Sequence, residues 1–168
     1  KNFRDFYYEI KRIIISTKKY QVLKKTNKGK SKKYSHHSNN VKKAFLDLDS
    51  FFQLYWIEWF PISGTLLGFI REGKLIENDL DIDIGIMEDS ISIETLKKLI
   101  VKSSSFKVSR VEYQKNFVKG YESSLKPVFL RLVHSNGINV DVFCHYSLGD
   151  KIYHGTSSLL WENNNFQL

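Results

Sequence analysis

Residues 61–87 read PISGTLLGFIREGKLIENDLDIDIGIM, and the fold turns on how this stretch is read. It closes with Asp81-Ile82-Asp83-Ile84-Gly85-Ile86, which alternates with the period of a strand. Asp81 and Asp83 share one face, and Gly85 follows on it. Ile82, Ile84 and Ile86 fill the other face and read as core. Two carboxylates beside an apolar layer repel each other and resist desolvation. A divalent cation relieves both problems, and carboxylate oxygens are what Mg²⁺ binds. An edge strand with solvated acids that discourage aggregation has the same pattern. The strand alone does not choose between these readings.

The stretch opens with Ser63-Gly64-Thr65, a small-residue turn after an apolar run (Trp59, Phe60, Ile62) and before a helical one (Leu66, Leu67, Phe69, Ile70). Glycine lets backbone approach a ligand closely, and a helix N-terminus offers free N–H groups to an anion. The Thr65 hydroxyl adds a donor. Arg71, about two helical turns on, carries a planar fork suited to the same anion. A plain helix cap also has this composition. A phosphate turn and a metal strand in one short span suggest nucleotide phosphate chemistry.

The chain of 168 residues is long enough for one domain with a real core, and 42% apolar residues with 14% aromatics argue against disorder. A single cysteine, Cys144, excludes an internal disulfide and a cysteine metal cluster. No apolar run approaches the ~20 residues of a membrane span. The sequence begins with Lys1, as expected of a piece of a longer chain. The net charge of +8 is uneven. Residues 1–43 hold 14 Lys and Arg against Asp5 and Glu9, a net of +12, and the remainder carries −4. The positive charge therefore belongs to an N-terminal arm and not to the acidic strand. Such an arm suits an anionic lipid surface, nucleic acid or an anionic polymer, or is simply a solvated face.

Two regions follow from this. Residues 1–40 form a basic arm, with a helix over 3–23 (Phe3, Phe6, Tyr7, Ile10, Ile13 and Ile14 near one stripe) and a polar loop over 26–40 that contains His36-His37. Residues 41–168 form the domain. It opens with a helix over 41–58 whose apolar residues, Val41, Ala44, Phe45, Leu48, Phe51, Phe52, Tyr55 and Trp56, recur at helical spacing, with Asp47, Asp49 and Glu58 facing water. A surface helix is expected over 90–103, then strands over 106–113, 128–134 and 138–146. Ser135-Asn136-Gly137 has hairpin chemistry. The last strand alternates again, and Asp141 is its one acid, between core-facing Val140 and Val142. If it pairs beside the Asp81 strand, three carboxylates converge. His134, His145 and His154 read as structural, Cys144 as core, and the tryptophans (Trp56, Trp59, Trp161) as packing residues.

Gly64-Thr65, Asp81-x-Asp83 and a later strand bearing Asp141 resemble the nucleotidyltransferase superfamily of the DNA polymerase beta type. GTLLGFIREG followed by DLDIDIGI is most similar to the LicD family, which includes fukutin and fukutin-related protein. The resemblance covers roughly residues 41–155, and the composite motif is far more specific than its parts. It implies an α+β fold with a small mixed sheet flanked by helices. It implies Asp81, Asp83 and Asp141 as catalytic metal ligands for Mg²⁺ or Mn²⁺, and Ser63, Gly64, Thr65 and Arg71 as substrate-binding residues. Ser63 departs from the pattern, since many members have glycine there, and Glu77-Asn78-Asp79-Leu80 is less acidic than the usual run. Only 27 residues follow Asp141, so acceptor-binding parts of larger members are expected to be absent.

The activity implied is transfer of phosphocholine, phosphoribitol or phosphoglycerol from a CDP-alcohol donor to a sugar hydroxyl of a glycan or polysaccharide. Nucleic acid is not an expected partner. The expected location is cytoplasmic, with the basic arm in peripheral contact with the inner membrane. The abundance of Lys, Asn, Ile and Ser fits an AT-rich bacterial genome, and so a surface polysaccharide or capsule. Two other functions fit the residues. One is a nucleotidyltransferase that adds a nucleotide to a small molecule, protein or RNA. The other is a non-catalytic module that binds anionic polymer through its arm.

Overall fold

A computed structural model describes residues 32–76, 79–115, 125–148, 151–154 and 166–167. The basic helix expected over 3–23, the start of the polar loop and Trp161 lie outside them. The elements run α1 (Lys32–Leu54), β1 (Trp59–Pro61), α2 (Ser63–Glu72), β2 (Asp81–Met87), α3 (Ile93–Ile100), β3 (Phe106–Lys115), β4 (Leu125–His134), β5 (Asn139–Leu148), β6 (Lys151–His154) and β7 (Phe166–Gln167). The architecture is α+β, a mixed sheet flanked by helices. No helix among the described residues is long and apolar enough to cross a membrane.

Helix α1 buries the stripe its spacing predicts: Val41, Ala44, Phe45, Leu48 and Phe52. Its start differs from expectation. The helix begins at Lys32, so residues 32–40 are helical and His36 and His37 lie on a helix. Nothing between Lys32 and Asn40 is Gly or Pro, and the Lys residues are tolerant helix formers, so the polar composition did not mark a break. Its end differs too. The helix stops at Leu54, and Trp56 takes a left-handed φ of 56° and is 92% exposed. This αL exit, with the Ile57 amide donating to the Phe52 carbonyl at 2.9 Å, turns the chain into β1. Ile57 fills the core place that helical spacing gave to Trp56.

Asp47 does not simply face water. Its carboxylate accepts from Lys43 Nζ at 2.7 Å and lies 2.9 Å from His134 Nε2. The Asn136 amide donates to His134 Nδ1, which leaves the ring proton on Nε2, pointing at Asp47. His134 is thus a buried structural residue tying α1 to the β4–β5 turn. The Asn136 side chain adds a bond to the Asn40 carbonyl at 2.8 Å.

The described strands form one sheet with the order β1-β2-β5-β4-β3, and β6 pairs with β5 and β7. The β3–β4–β5 meander is antiparallel, and β5 returns parallel to β2. Strand β2 therefore lies inside the sheet, with antiparallel β1 on its other side. Ile82, Ile84 and Ile86 of β2, Val140, Val142 and Cys144 of β5, and Leu130 and Leu132 of β4 make one continuous apolar face. Residues of α1 and α3, among them Leu48, Phe52, Ile93, Leu96 and Ile100, join it in a single core. Ser92 caps α3, accepting from the Thr95 amide, so this helix starts later than the expected Ser90. Burial pushes the Cys144 thiol up, as befits a core residue.

The opposite face of β2 carries Asp81, Asp83 and Gly85. Phe60 of β1 pairs with Gly85 and lays its ring against it and against His145, with ring centroids of 4.9 Å for the Phe60–His145 pair. A Cβ on Gly85 would meet the Phe60 ring and come 2.8 Å from His145 Cε1. Burial holds His145 neutral, down to about 4, and His154 stacks on it at 4.9 Å. Gly85→Ala is expected to lower stability by about 1–3 kcal/mol through overpacking. An unchanged urea midpoint would show that Phe60 moves aside at no cost.

Candidate metal centre

The centre follows from register. In the parallel β2–β5 pair, Asp83 stands opposite Asp141 and Asp81 opposite Asn139. Asp81 and Asp83 already share a face, so the pairing adds the third carboxylate beside them. One carboxylate oxygen from each of Asp81, Asp83 and Asp141 lies within 4.8 Å of the others. Asp141 is 6% exposed, and the other two are half-buried. The plain edge-strand reading does not hold: β5 pairs with β2 along its length, β1 covers Ile84–Ile86, and Thr65 and Ile62 take up the Asp83 backbone on that same side.

Helix α2 grips Asp83 at three points. The Asp83 amide donates to Thr65 Oγ1 at 2.9 Å, and its carbonyl accepts from the Ile62 amide at 3.2 Å. Its carboxylate accepts a backbone hydrogen bond from Gly64. Thr65 is fully buried, so its hydroxyl joins helix to strand inside the protein. Ser63 has a left-handed φ of 47°, a conformation that favours glycine. That explains why glycine is common at this position in the resembling family, and why a short polar residue is the next best choice. Ile62, the N-cap, supplies no side-chain bond, and the Gly64 amide of the first turn is directed at the Asp83 carboxylate instead.

Asp79 joins the cluster from the loop before β2. A Cβ on Gly64 would lie 2.5 Å from its Oδ2, so glycine is what lets the helix approach. Asp79 lies close enough to Asp81 to add to the repulsion that raises the Asp81 carboxyl. Arg71 sits in the last turn of α2, exposed, roughly 10 Å along the axis from Gly64. It makes no hydrogen bond or ion pair with Asp81, Asp83 or Asp141.

The cation beside the cluster is Arg131, which sequence reasoning passed over. It stands opposite Asp141 across β4–β5 and binds it through a planar fork. Nε donates to Oδ1 at 2.7 Å and Nη2 to Oδ2 at 2.6 Å. A signal existed: an Arg inside the apolar run Phe129-Leu130-Arg131-Leu132, and a hairpin at Ser135-Asn136-Gly137 that sets 131 opposite 141.

Electrostatics favour a cation. Burial and the charges of Asp141 and Asp79 hold the Asp81 carboxyl above its ordinary range. Burial, then Asp81, Asp141 and Asp79, push Asp83 up to about 6, against the Gly64 hydrogen bond. An all-oxygen donor set of three convergent carboxylates, strained by mutual repulsion, fits Mg²⁺ or Mn²⁺. A raised carboxyl in the folded state binds its proton more tightly than in the unfolded chain. Its stabilising contribution is complete below pH ~4 and is lost as pH rises through about 6. Asp83→Asn, which removes that loss, is expected to be more stable than wild type by about 1–2 kcal/mol at pH 7.5 in EDTA, after allowance for solvent screening. The gain should vanish near pH 4 and shrink when Mg²⁺ is added to the wild type. Denaturant melts across pH check this, and a pH-independent difference would contradict it.

Comparison with known proteins agrees with this geometry. The chain is 39% identical over 93 residues to the uncharacterized protein RT0683 of Rickettsia typhi, and 38% identical over 93 residues to the uncharacterized protein RP689 of Rickettsia prowazekii. Each match covers 52% of this chain but only 23% and 27% of those proteins, so the chain spans about a quarter of their length. The family model for the LicD/FKTN/FKRP nucleotidyltransferase domain matches residues 54–167, a span that holds the helix turn, the paired aspartates and Asp141. The chain belongs to the LicD family, a family of transferases.

Proposed function

We propose that this domain is a metal-dependent phospho-alcohol transferase with a DNA polymerase beta-like nucleotidyltransferase fold. It would move phosphocholine, phosphoribitol or phosphoglycerol from a CDP-linked alcohol to a sugar hydroxyl in polysaccharide or glycan synthesis. The observation that carries the reading is the convergence of Asp81, Asp83 and Asp141 within 4.8 Å beside the α2 N-terminus, in a LicD-family domain.

In the reaction, the sugar hydroxyl oxygen attacks the phosphorus that bears the alcohol. A new P–O bond forms, the P–O bond to the CMP moiety breaks, and CMP leaves with the bridging oxygen and its electron pair. The hydroxyl proton passes to a cluster carboxylate or to water. Asp81, Asp83 and Asp141 would hold Mg²⁺ or Mn²⁺, which supplies positive charge against the diphosphate. The Ser63 amide of the turn would orient a phosphate, beside the Gly64 amide that holds Asp83. Both Asp141 oxygens are engaged by the Arg131 fork, which suits a fixed ligand better than a proton acceptor. The basic arm, residues 1–40 with 12 Lys and Arg against two acids, would hold an anionic glycan or rest on the cytoplasmic membrane surface.

A CDP-alcohol panel with a labelled sugar acceptor tests the proposal. Mg²⁺-dependent release of CMP is expected from at least one of CDP-choline, CDP-ribitol and CDP-glycerol, falling at least a hundredfold in Asp83→Ala. Thermal shift with the same donors should raise the melting point only when Mg²⁺ is present. Stabilisation by ATP or GTP in preference to every CDP-alcohol would favour a nucleotide-adding enzyme, the reading that the family's nucleotidyltransferase description also allows.

A further inference from the structure

The Arg131 guanidinium does more than neutralise Asp141. Its fork carries five N–H donors, and Asp141 takes one on Nε and one on Nη2, which leaves three. The side chain is 33% exposed, while its carboxylate partner is 8% exposed, so the charged head spans from the buried ligand to solvent on the acidic face. The Phe129 ring, 5.6 Å from Cζ, backs it, and the paired strand β5 fixes its base. Arg131 is therefore a cation whose inner edge is occupied by Asp141, the residue opposite Asp83. Its charge is felt by Asp81, and its remaining donors are partly open to solvent. A structural ion pair alone does not require an arginine. A lysine would neutralise Asp141, but it would not offer a second, planar edge.

We propose that Arg131 is a substrate-binding residue that grips an anionic phosphate with its outer edge while its inner edge holds Asp141. Asp81, Asp83 and Asp141 would hold a cation that supplies one positive charge to that phosphate, and β4 contributes a second, permanent one. The ligand class is a diphosphate. This rests on reading the carboxylate cluster as a phosphate-transfer centre, but not on which nucleoside or alcohol the diphosphate carries.

The test uses the whole chain and two probes, Mn²⁺ alone and Mg²⁺–pyrophosphate, titrated calorimetrically into wild type, Arg131→Lys and Arg131→Gln. Folding of each variant is confirmed by its melting transition, and Arg131→Lys keeps the test open if Arg131→Gln does not fold. The expected result is at least a tenfold loss of pyrophosphate affinity in Arg131→Lys, with Mn²⁺ affinity within threefold of wild type. Equal loss of both affinities would reduce Arg131 to a prop for Asp141 and overturn the proposal. Unchanged pyrophosphate affinity, or no binding of pyrophosphate by the wild type, would overturn it as well. A wild type that binds pyrophosphate in an Arg131-dependent way but turns over no CDP-alcohol would leave this proposal standing and sink the proposed donor.

Discussion

Everything around the acidic face depends on how the first turn of α2 holds Asp83. Its amide, its carbonyl and its carboxylate are bonded to Thr65, Ile62 and Gly64. This hold sets the height of β2 against the helix. The parallel register with β5 then leaves Asp141 one place to stand, opposite Asp83. A slip of one residue would send the aspartates into the core and the isoleucines to the site, so the apolar layer and the helix turn enforce one register between them.

The cost of this arrangement is charge. Asp79, Asp81, Asp83 and Asp141 gather on one face, and Arg131 is the cation bound directly to one of them. Burial and mutual repulsion hold Asp81 above its ordinary range and push Asp83 up to about 6. Such strain is tolerated at functional sites when the surrounding structure over-determines it. Here the surroundings are stiff: a central strand, a buried threonine and an apolar face with no exposed isoleucine in β2. The same stiffness keeps the carboxylates convergent before any ligand arrives, which is what electrostatic preorganisation requires.

Much of this was legible in the residues because period two is a strong signal. Asp81-Ile82-Asp83-Ile84 and Val140-Asp141-Val142 declare their faces without any structure, and Ser135-Asn136-Gly137 declares a hairpin. The hairpin even encodes the Arg131–Asp141 pair, since counting outward from Asn136 sets 131 opposite 141. What the sequence did not carry was competition between local signals. Trp56 has helical spacing, yet the chain had to leave α1 there to reach β1. Residues 32–40 are polar enough for a loop, yet nothing in them stops a helix. Thr65 looks like an open donor, and only the packing of α2 on β2 shows it buried. Arg71 lies at motif spacing, in the last turn of the same helix whose first turn holds Asp83.

The most direct measurement is an anomalous difference map from crystals grown with Mn²⁺, collected at a wavelength where manganese scatters anomalously. The expected result is a peak among Asp81, Asp83 and Asp141, with oxygen ligands at ~2.1–2.3 Å. Empty density there, with manganese bound elsewhere or not at all while the crystals hold it at millimolar concentration, would contradict the claim that these carboxylates form a metal centre.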